Sequence, residues 1–238
     1  MLLRYTHAGF LVIHPEDDCH ATVDAMLATK YNEEFCISAS FDPEFTARLM
    51  DAGFLVMSAD ASGDDEKEPL YLSLPKLHLE RSALFFENLH IKKSIRKLLS
   101  KYKLKADIDF DYIINRCVEK HGADWLTPPL VESIKEIRRT RPTGNAYPSS
   151  FSLYKDDTLV AGEFGVICGN VYTSYSGYYD ECNAGTVQLI LLTKYLQEQG
   201  FLFFDLGMPM NYKLDLGAVN ITPEEFVSLF RAANRFVF

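Results

Sequence analysis

The sequence predicts an α+β protein in two parts: a small N-terminal α/β lobe over residues 1–68, and a larger domain over 69–238 built as a mixed sheet flanked by helices. Three observations lead there. Residues 58–69 (SADASGDDEKEP) are polar and without hydrophobic period, which marks a break or mobile loop. Residues 151–176 contain three strand-like segments. Residues 184–206 then read as a helix followed by a nearly all-apolar strand, the signature of a strand lying parallel to a neighbour across its helix.

The elements follow in order. Residues 16–30 and 43–51 have helical character, the second with Asp42 as N-cap, Pro43 at the first helical position and Gly53 just past the end. Strands are expected at 70–74 and 84–86. Ile91, Ile95, Leu98, Leu99 and Tyr102 recur at helical spacing and predict a basic helix over 91–102. Residues 110–120 repeat that pattern and stop at Gly122. Thr127 and Pro128 open a helix that runs to about Thr140. Strands are expected at 151–154, 159–168 and 171–176, a helix at 184–199, and a strand at 201–206. Thr222, Pro223 and Glu225 form a capping box that opens the last helix. Antiparallel strands, then strand–helix–strand, then helix is the order of a GNAT-like acyltransferase sheet, an order other α+β domains share.

Charge is unevenly distributed. The 238 residues carry a net charge of −9, but residues 1–80 hold −10, residues 81–141 hold +6 and residues 142–238 hold −5. Lys92, Lys93, Arg96, Lys97, Lys101, Lys103 and Lys105 succeed one another without an intervening acid, and Lys135, Arg138, Arg139 and Arg141 form a second cluster. A solvated helix face usually mixes signs. The first run therefore reads either as a phosphate-facing surface or as plain solvated charge.

Several chemistries are disfavoured. No GxSxG elbow is present, and His7, His14, His20, His78, His90 and His121 all lie outside the C-terminal strands. No HExxH or CxxC spacing and no phosphate loop or dinucleotide fingerprint appears, so no metal or diffusible cofactor is expected. The five cysteines, Cys19, Cys36, Cys117, Cys168 and Cys182, are odd in number and widely spaced, and reduced thiols are expected. The apolar runs are far shorter than the roughly 20 residues of a membrane span. The N-terminal residues do not read as an export signal, so a cytoplasmic location without a membrane partner is expected. What remains is a carboxylate at a strand end, Asp205, which either serves a site there or satisfies backbone donors in the turn. The tyrosine- and serine-bearing stretch from Tyr172 to Tyr179 is either a ligand pocket or ordinary core and surface.

From about Cys36 onward the chain resembles the leucyl/phenylalanyl-tRNA–protein transferase family. The matching stretches are FDPEFTARLMDAGF from Phe41, LHIKKS from Leu89, DWLTPPLVESIKEI from Asp124, LVAGEFGVICGNVYTS from Leu159, NAG from Asn183 and FDLGMPMNYKLDLGA from Phe204. The ordered set, more than any one motif, carries the resemblance. It implies transfer of an amino acid from aminoacyl-tRNA to the N-terminal α-amine of a protein, marking that protein for degradation under the N-degron rule. It further implies that Trp125 stacks on the 3′-terminal adenosine and that Lys92, Lys93, Arg96 and Lys97 hold tRNA phosphates. Asp205 would handle the proton of the attacking amine, and Tyr172, Ser174, Tyr175, Ser176, Asn183 and Gly207 would form the aminoacyl pocket. Separately from the resemblance, backbone N–H groups near the Asn183 helix start are expected to face the developing oxyanion.

The chain departs from the family pattern at identifiable places. Tyr175 and Gly177 replace a glutamate and a methionine, Leu206 and Gly207 replace a cysteine and a glutamine, and Val56 and Met57 stand where the family has a Pro-Trp pair. The pocket segment offers no pair of acids for a guanidinium, so a leucine- or phenylalanine-type donor is expected, with arginine the alternative. Two other classes are an acyl-CoA-dependent N-acyltransferase, for which CNAGTVQ at Cys182 is a poor pyrophosphate turn, and a noncatalytic tRNA or N-degron binder.

Overall fold

A computed structural model describes residues 3–63, 68–142 and 144–234. The N-terminal part contains β1 (Arg4–Tyr5), β2 (Leu11–Val12), α1 (Cys19–Ala28), β3 (Cys36–Ile37), α2 (Pro43–Asp51) and β4 (Leu55–Asp60). Then come β5 (Tyr71–Lys76), β6 (Arg81–Leu84), α3 (Lys93–Arg96), β7 (Tyr102–Ala106), α4 (Phe110–His121) and α5 (Pro128–Thr140). The remainder is β8 (Ala146–Lys155), β9 (Thr158–Cys168), β10 (Val171–Tyr179), α6 (Ala184–Glu198), β11 (Phe203–Asp205), α7 (Asn211–Asp215), β12 (Val219–Ile221) and α8 (Pro223–Asn234).

Local chemistry sets several of these boundaries. The Asp42 carboxylate accepts from Phe45 N at 2.9 Å, Pro43 fills the first turn of α2, and Gly53 takes φ +100° beyond its end. The Thr222–Glu225 capping box closes in both directions at the start of α8, at 2.8 and 3.3 Å. Asp18 caps α1 in the same manner. Thr127 stands at the N-cap of α5, but its hydroxyl bonds Ser58 Oγ at 2.9 Å and not its own helix.

Seven strands form the main sheet in the order β12-β6-β11-β10-β9-β8-β7. Strands β10 and β11 are parallel and joined by α6, as the apolar run at 201–206 predicts, and the other neighbours are antiparallel. Side chains alternate between two cores. Phe164, Val166 and Cys168 of β9 face a core shared with α2, α4, α5 and α8. Ala161 of β9, Tyr172 of β10 and Phe204 of β11 face α6. Smaller sheets are β1-β2-β3 and the β4–β5 hairpin. That hairpin spans the polar segment 58–69: β4 runs to Asp60 and pairs with Tyr71, while residues 64–67 of the expected loop lie outside the described residues.

The basic segment differs from its expectation. Only Lys93–Arg96 is α-helical; a 3₁₀ turn at Leu99–Lys101 follows, and residues 102–106 enter the sheet as β7 against β8. Tyr102, Leu104 and Ala106 alternate with exposed Lys103 and Lys105, a period of two that begins where the helical spacing ends. The second cluster is largely neutralised, with Arg138 on Asp107 at 2.5 Å, Arg139 on Glu136 at 2.5 Å and Lys135 at 4.0 Å from Glu132.

Candidate active site

Strand β10 is paired with β11 only from Val171 to Thr173, because β11 stops at Asp205. Beyond that point β10 diverges, and a bulge between Ser174 and Ser176 re-aims its side chains. A cleft opens in the gap, at the carboxyl end of the parallel pair, where α/β sheets place their sites. It has two adjoining chambers, of about 440 and 560 Å³, which share His121, Ser174, Gly177, Leu189 and Tyr212.

The first chamber carries the indole of Trp125. The loop between α4 and α5 that bears it is tied to β4, since the Trp125 carbonyl accepts from Ser58 N at 2.9 Å and Ser58 Oγ at 3.1 Å. Leu55 and Met57 of β4 line the same space, so the N-terminal part supplies one wall. Opposite are Tyr175, Ser176, Gly207 and Met208. The Tyr175 hydroxyl accepts from Val56 N at 3.1 Å, which fastens β10 to β4 across the cleft. Gly207 holds φ +71°, a conformation that a side chain would strain.

Asp205 does not line this cleft. It is fully buried beneath it, on the α8 side of the sheet. Its carboxylate accepts from Arg81 Nε at 2.9 and 3.0 Å, Arg81 Nη2 at 2.6 Å, the Thr173 hydroxyl at 2.8 Å and Gly207 N at 3.0 Å. Arg81 is 1% exposed, donates also to Gly53 O at 3.0 Å and sits 3.8 Å over the Phe226 ring. A carboxylate this fully engaged is a structural anchor of the strand end. The reading in which it satisfies turn donors describes its contacts, and the reading in which it touches the amine proton does not.

Tyr172 is likewise under the floor, 0% exposed, with its ring 5.1 Å from Phe151 and 5.5 Å from Phe204. Ser174 lines both chambers, Tyr175, Ser176 and Gly207 the first, and exposed Asn183, at φ +68°, the second.

Sequence reasoning missed four cleft groups. His78, between β5 and β6, is 4% exposed with Nδ1 unpartnered. Burial, assisted by Arg81, Lys76 and Lys213, lowers its imidazole to about 2, so it stays neutral at physiological pH. His121 contacts the Gly177 carbonyl at 2.8 Å. Lys213 of α7 donates to the Leu206 and Met208 carbonyls at 2.5 and 2.7 Å; burial lowers it to about 8 against the pull of Asp205 and Glu163. Glu163 of β9 lines the second chamber and burial raises it to about 7. One signal was available for Glu163: it is a charge inside an otherwise apolar run, GEFGVIC.

His78 has a measurable consequence. Below pH 6.5 the unfolded chain takes up a proton that the folded protein excludes, so stability is lost as pH falls, by up to about 1.4 kcal/mol per unit from this group. Urea unfolding from pH 7 to 4 is expected to give wild type a steeper acid loss than His78→Asn. Parallel curves would show the imidazole to be protonated in the fold.

The seven bases Lys92 to Lys105 are all exposed, and among them Lys92 pairs with Asp215 at 2.7 Å. Asp215 closes α7, whose Tyr212 and Lys213 line the cleft, and His90 N bonds Leu216 O at 2.8 Å. The basic segment is thus anchored to the element that forms the cleft wall.

The sheet thus opens at its parallel pair into a cleft that lies beside an exposed basic segment. A family model described as leucyl/phenylalanyl-tRNA protein transferase matches residues 83–231, and the chain belongs to that family. A leucyl/phenylalanyl-tRNA–protein transferase of Flavobacterium johnsoniae is 27% identical over 174 residues, 71% of this chain and 78% of that protein. One of Pseudomonas putida is 32% identical over 151 residues, 61% of this chain and 65% of that protein. The structure is similar to the crystal structure of FemX with a TM-score of 0.46 and 10% identity, over 95% of this chain and 85% of that one.

Proposed function

We propose that the protein transfers an amino acid from the 3′ end of an aminoacyl-tRNA to the N-terminal α-amine of another protein, in the cytoplasm, marking it for N-degron degradation. The observation that carries this reading is the continuous cleft with Trp125 at one end and the Ser174–Gly177 edge of β10 along its floor. In this reading residues 69–238 form a GNAT-like acyl-transfer domain and the lobe of residues 1–68 closes the cleft with β4. Trp125 stacks on the terminal adenosine, and Lys93, Arg96 and Lys97, with Lys92, hold phosphates without reading sequence.

An aminoacyl ester is already activated, and a protein α-amine with a pKa near 7.7–8.0 is about a tenth neutral at pH 7. Placement then does most of the work: holding amine and carbonyl at about 3–3.5 Å accounts for several kcal/mol of the barrier. Asp205 serves by fixing the β11 end and Gly207, as a positioning residue. Ser174, Tyr175, Ser176 and the chain at Asn183 shape the space around the ester.

The test is to incubate the protein with radiolabelled aminoacyl-tRNAs and peptides beginning with Arg, Lys, Asp or Glu. Labelled peptide from at least one pair is expected; transfer from acyl-CoA alone, or tRNA binding without transfer, contradicts the reading. Converting Lys93, Arg96 and Lys97 to Gln is expected to weaken tRNA binding and flatten its log–log salt dependence by about 0.7–0.9 for each phosphate no longer neutralised. An unchanged slope would leave this segment as plain surface.

A further inference from the structure

Resting on that reading, we propose that the second chamber takes the side chain of the transferred amino acid and that Glu163 selects a cationic one, arginine or lysine. The expectation of an apolar donor is read from the Tyr172–Tyr179 segment and agrees with the names of the relatives; the acid that alters it in this chain arrives from the neighbouring strand. Glu163 is paired across the sheet with Gly177, and a Cβ at position 177 would stand 3.2 Å from the Glu163 Cβ. The glycine therefore leaves no side chain packed against the Glu163 Cβ.

Glu163 is 4% exposed, and its Oε1 has no hydrogen-bond partner. Ser174 and Tyr172 stand beside the carboxyl, and among the described residues no cation pairs with it; Lys213, which acts on it electrostatically, directs its ammonium to two backbone carbonyls. A buried carboxyl without a counterion is a costly arrangement unless a guest completes it. Gln188 of α6 lines the same chamber. Its Nε2 donates to the Phe151 carbonyl at 2.9 Å, which fixes the amide and leaves Oε1, an acceptor, unpartnered. The Ser174 and Tyr172 hydroxyls are the only donors beside the carboxyl among the described residues, and neither carries charge; a guanidinium or ammonium would supply the missing counterion and an N–H for Gln188 Oε1. An isobutyl or benzyl group would leave Gln188 Oε1 unsatisfied and Glu163 without a counterion. Burial holds the empty carboxyl near neutrality, and a bound cation restores its charge.

The experiment compares kcat/KM for transfer from arginyl-, lysyl-, leucyl- and phenylalanyl-tRNA to one acceptor peptide, using the full chain, Glu163→Gln and Glu163→Met. The wild type is expected to favour a cationic donor by at least ~10-fold, and Glu163→Met to lower that preference by ~100-fold, with Glu163→Gln in between. A wild type that prefers leucine or phenylalanine, or a preference untouched by either substitution, overturns the proposal. If no donor is transferred, the transferase reading fails, and binding of argininamide against leucinamide, followed by NMR, decides the chamber separately. Tighter argininamide binding that is lost in Glu163→Gln supports it; equal binding of the two overturns it.

Discussion

Asp205→Ala is expected to lower folding stability by about 3–5 kcal/mol, the range for removing one partner of a buried ion pair. Arg81 and Asp205 are each about 1% exposed in their side chains, and the substitution leaves a guanidinium in the interior facing Phe226 without a counterion. It also strips the Thr173 hydroxyl and Gly207 N of their acceptor. For a chain of this size the loss corresponds to a fall in Tm of about 6–20 °C. The double variant Arg81→Met, Asp205→Leu is expected to recover part of it, because two apolar side chains desolvate without penalty. Stability unchanged alongside lost transfer would mean that Asp205 acts on the reacting atoms and that the anchor role is wrong. Both thermal unfolding and transfer are therefore measured on the same samples.

Trp125→Ala is expected to weaken aminoacyl-tRNA binding by about 1–3 kcal/mol, some 5- to 150-fold, the usual worth of an aromatic platform under a base. The substitution spares the backbone carbonyl that Ser58 holds, so the α4–α5 loop keeps its attachment to β4. Trp125→Phe retains a platform and is expected to fall between the two. Affinity unaffected by either substitution would remove the indole from the adenosine site.

Much of the scaffold was legible because short-range chemistry determines it. The Asp42-Pro43 start of α2, the Thr222–Glu225 box of α8 and the β10–α6–β11 unit are each written in a few adjacent residues. The basic segment misleads where two periods overlap: Tyr102 continues the helical series from Ile91 and also begins the alternation of β7. Short strands such as β1 to β3 carry too few residues to show any period.

The site was legible only in part. Of the residues singled out in the sequence, Trp125, Tyr175, Ser176 and Gly207 line the first chamber, Asn183 the second and Ser174 both. The partner that defines Asp205, Arg81, lies 124 residues away, and sheet register alone brings them into contact. Glu163 is separated from its chamber neighbour Gln188 by a strand and a helix start, so neither residue announces the other. Burial, which turns Asp205 into an anchor and leaves Glu163 unpaired, is a property of the packed sheet and has no local signature.

Trp125 is the single tryptophan of the chain, so its emission reports the state of the first chamber without labelling. The most direct measurement titrates the protein with adenosine carrying an amide-linked amino acid at its 3′ position, a stable stand-in for the charged tRNA end. Seating of the base on the indole predicts a saturable change in emission that unlabelled aminoacyl-tRNA competes away. Emission that stays constant while the compound inhibits transfer, or while aminoacyl-tRNA binds, would contradict the account.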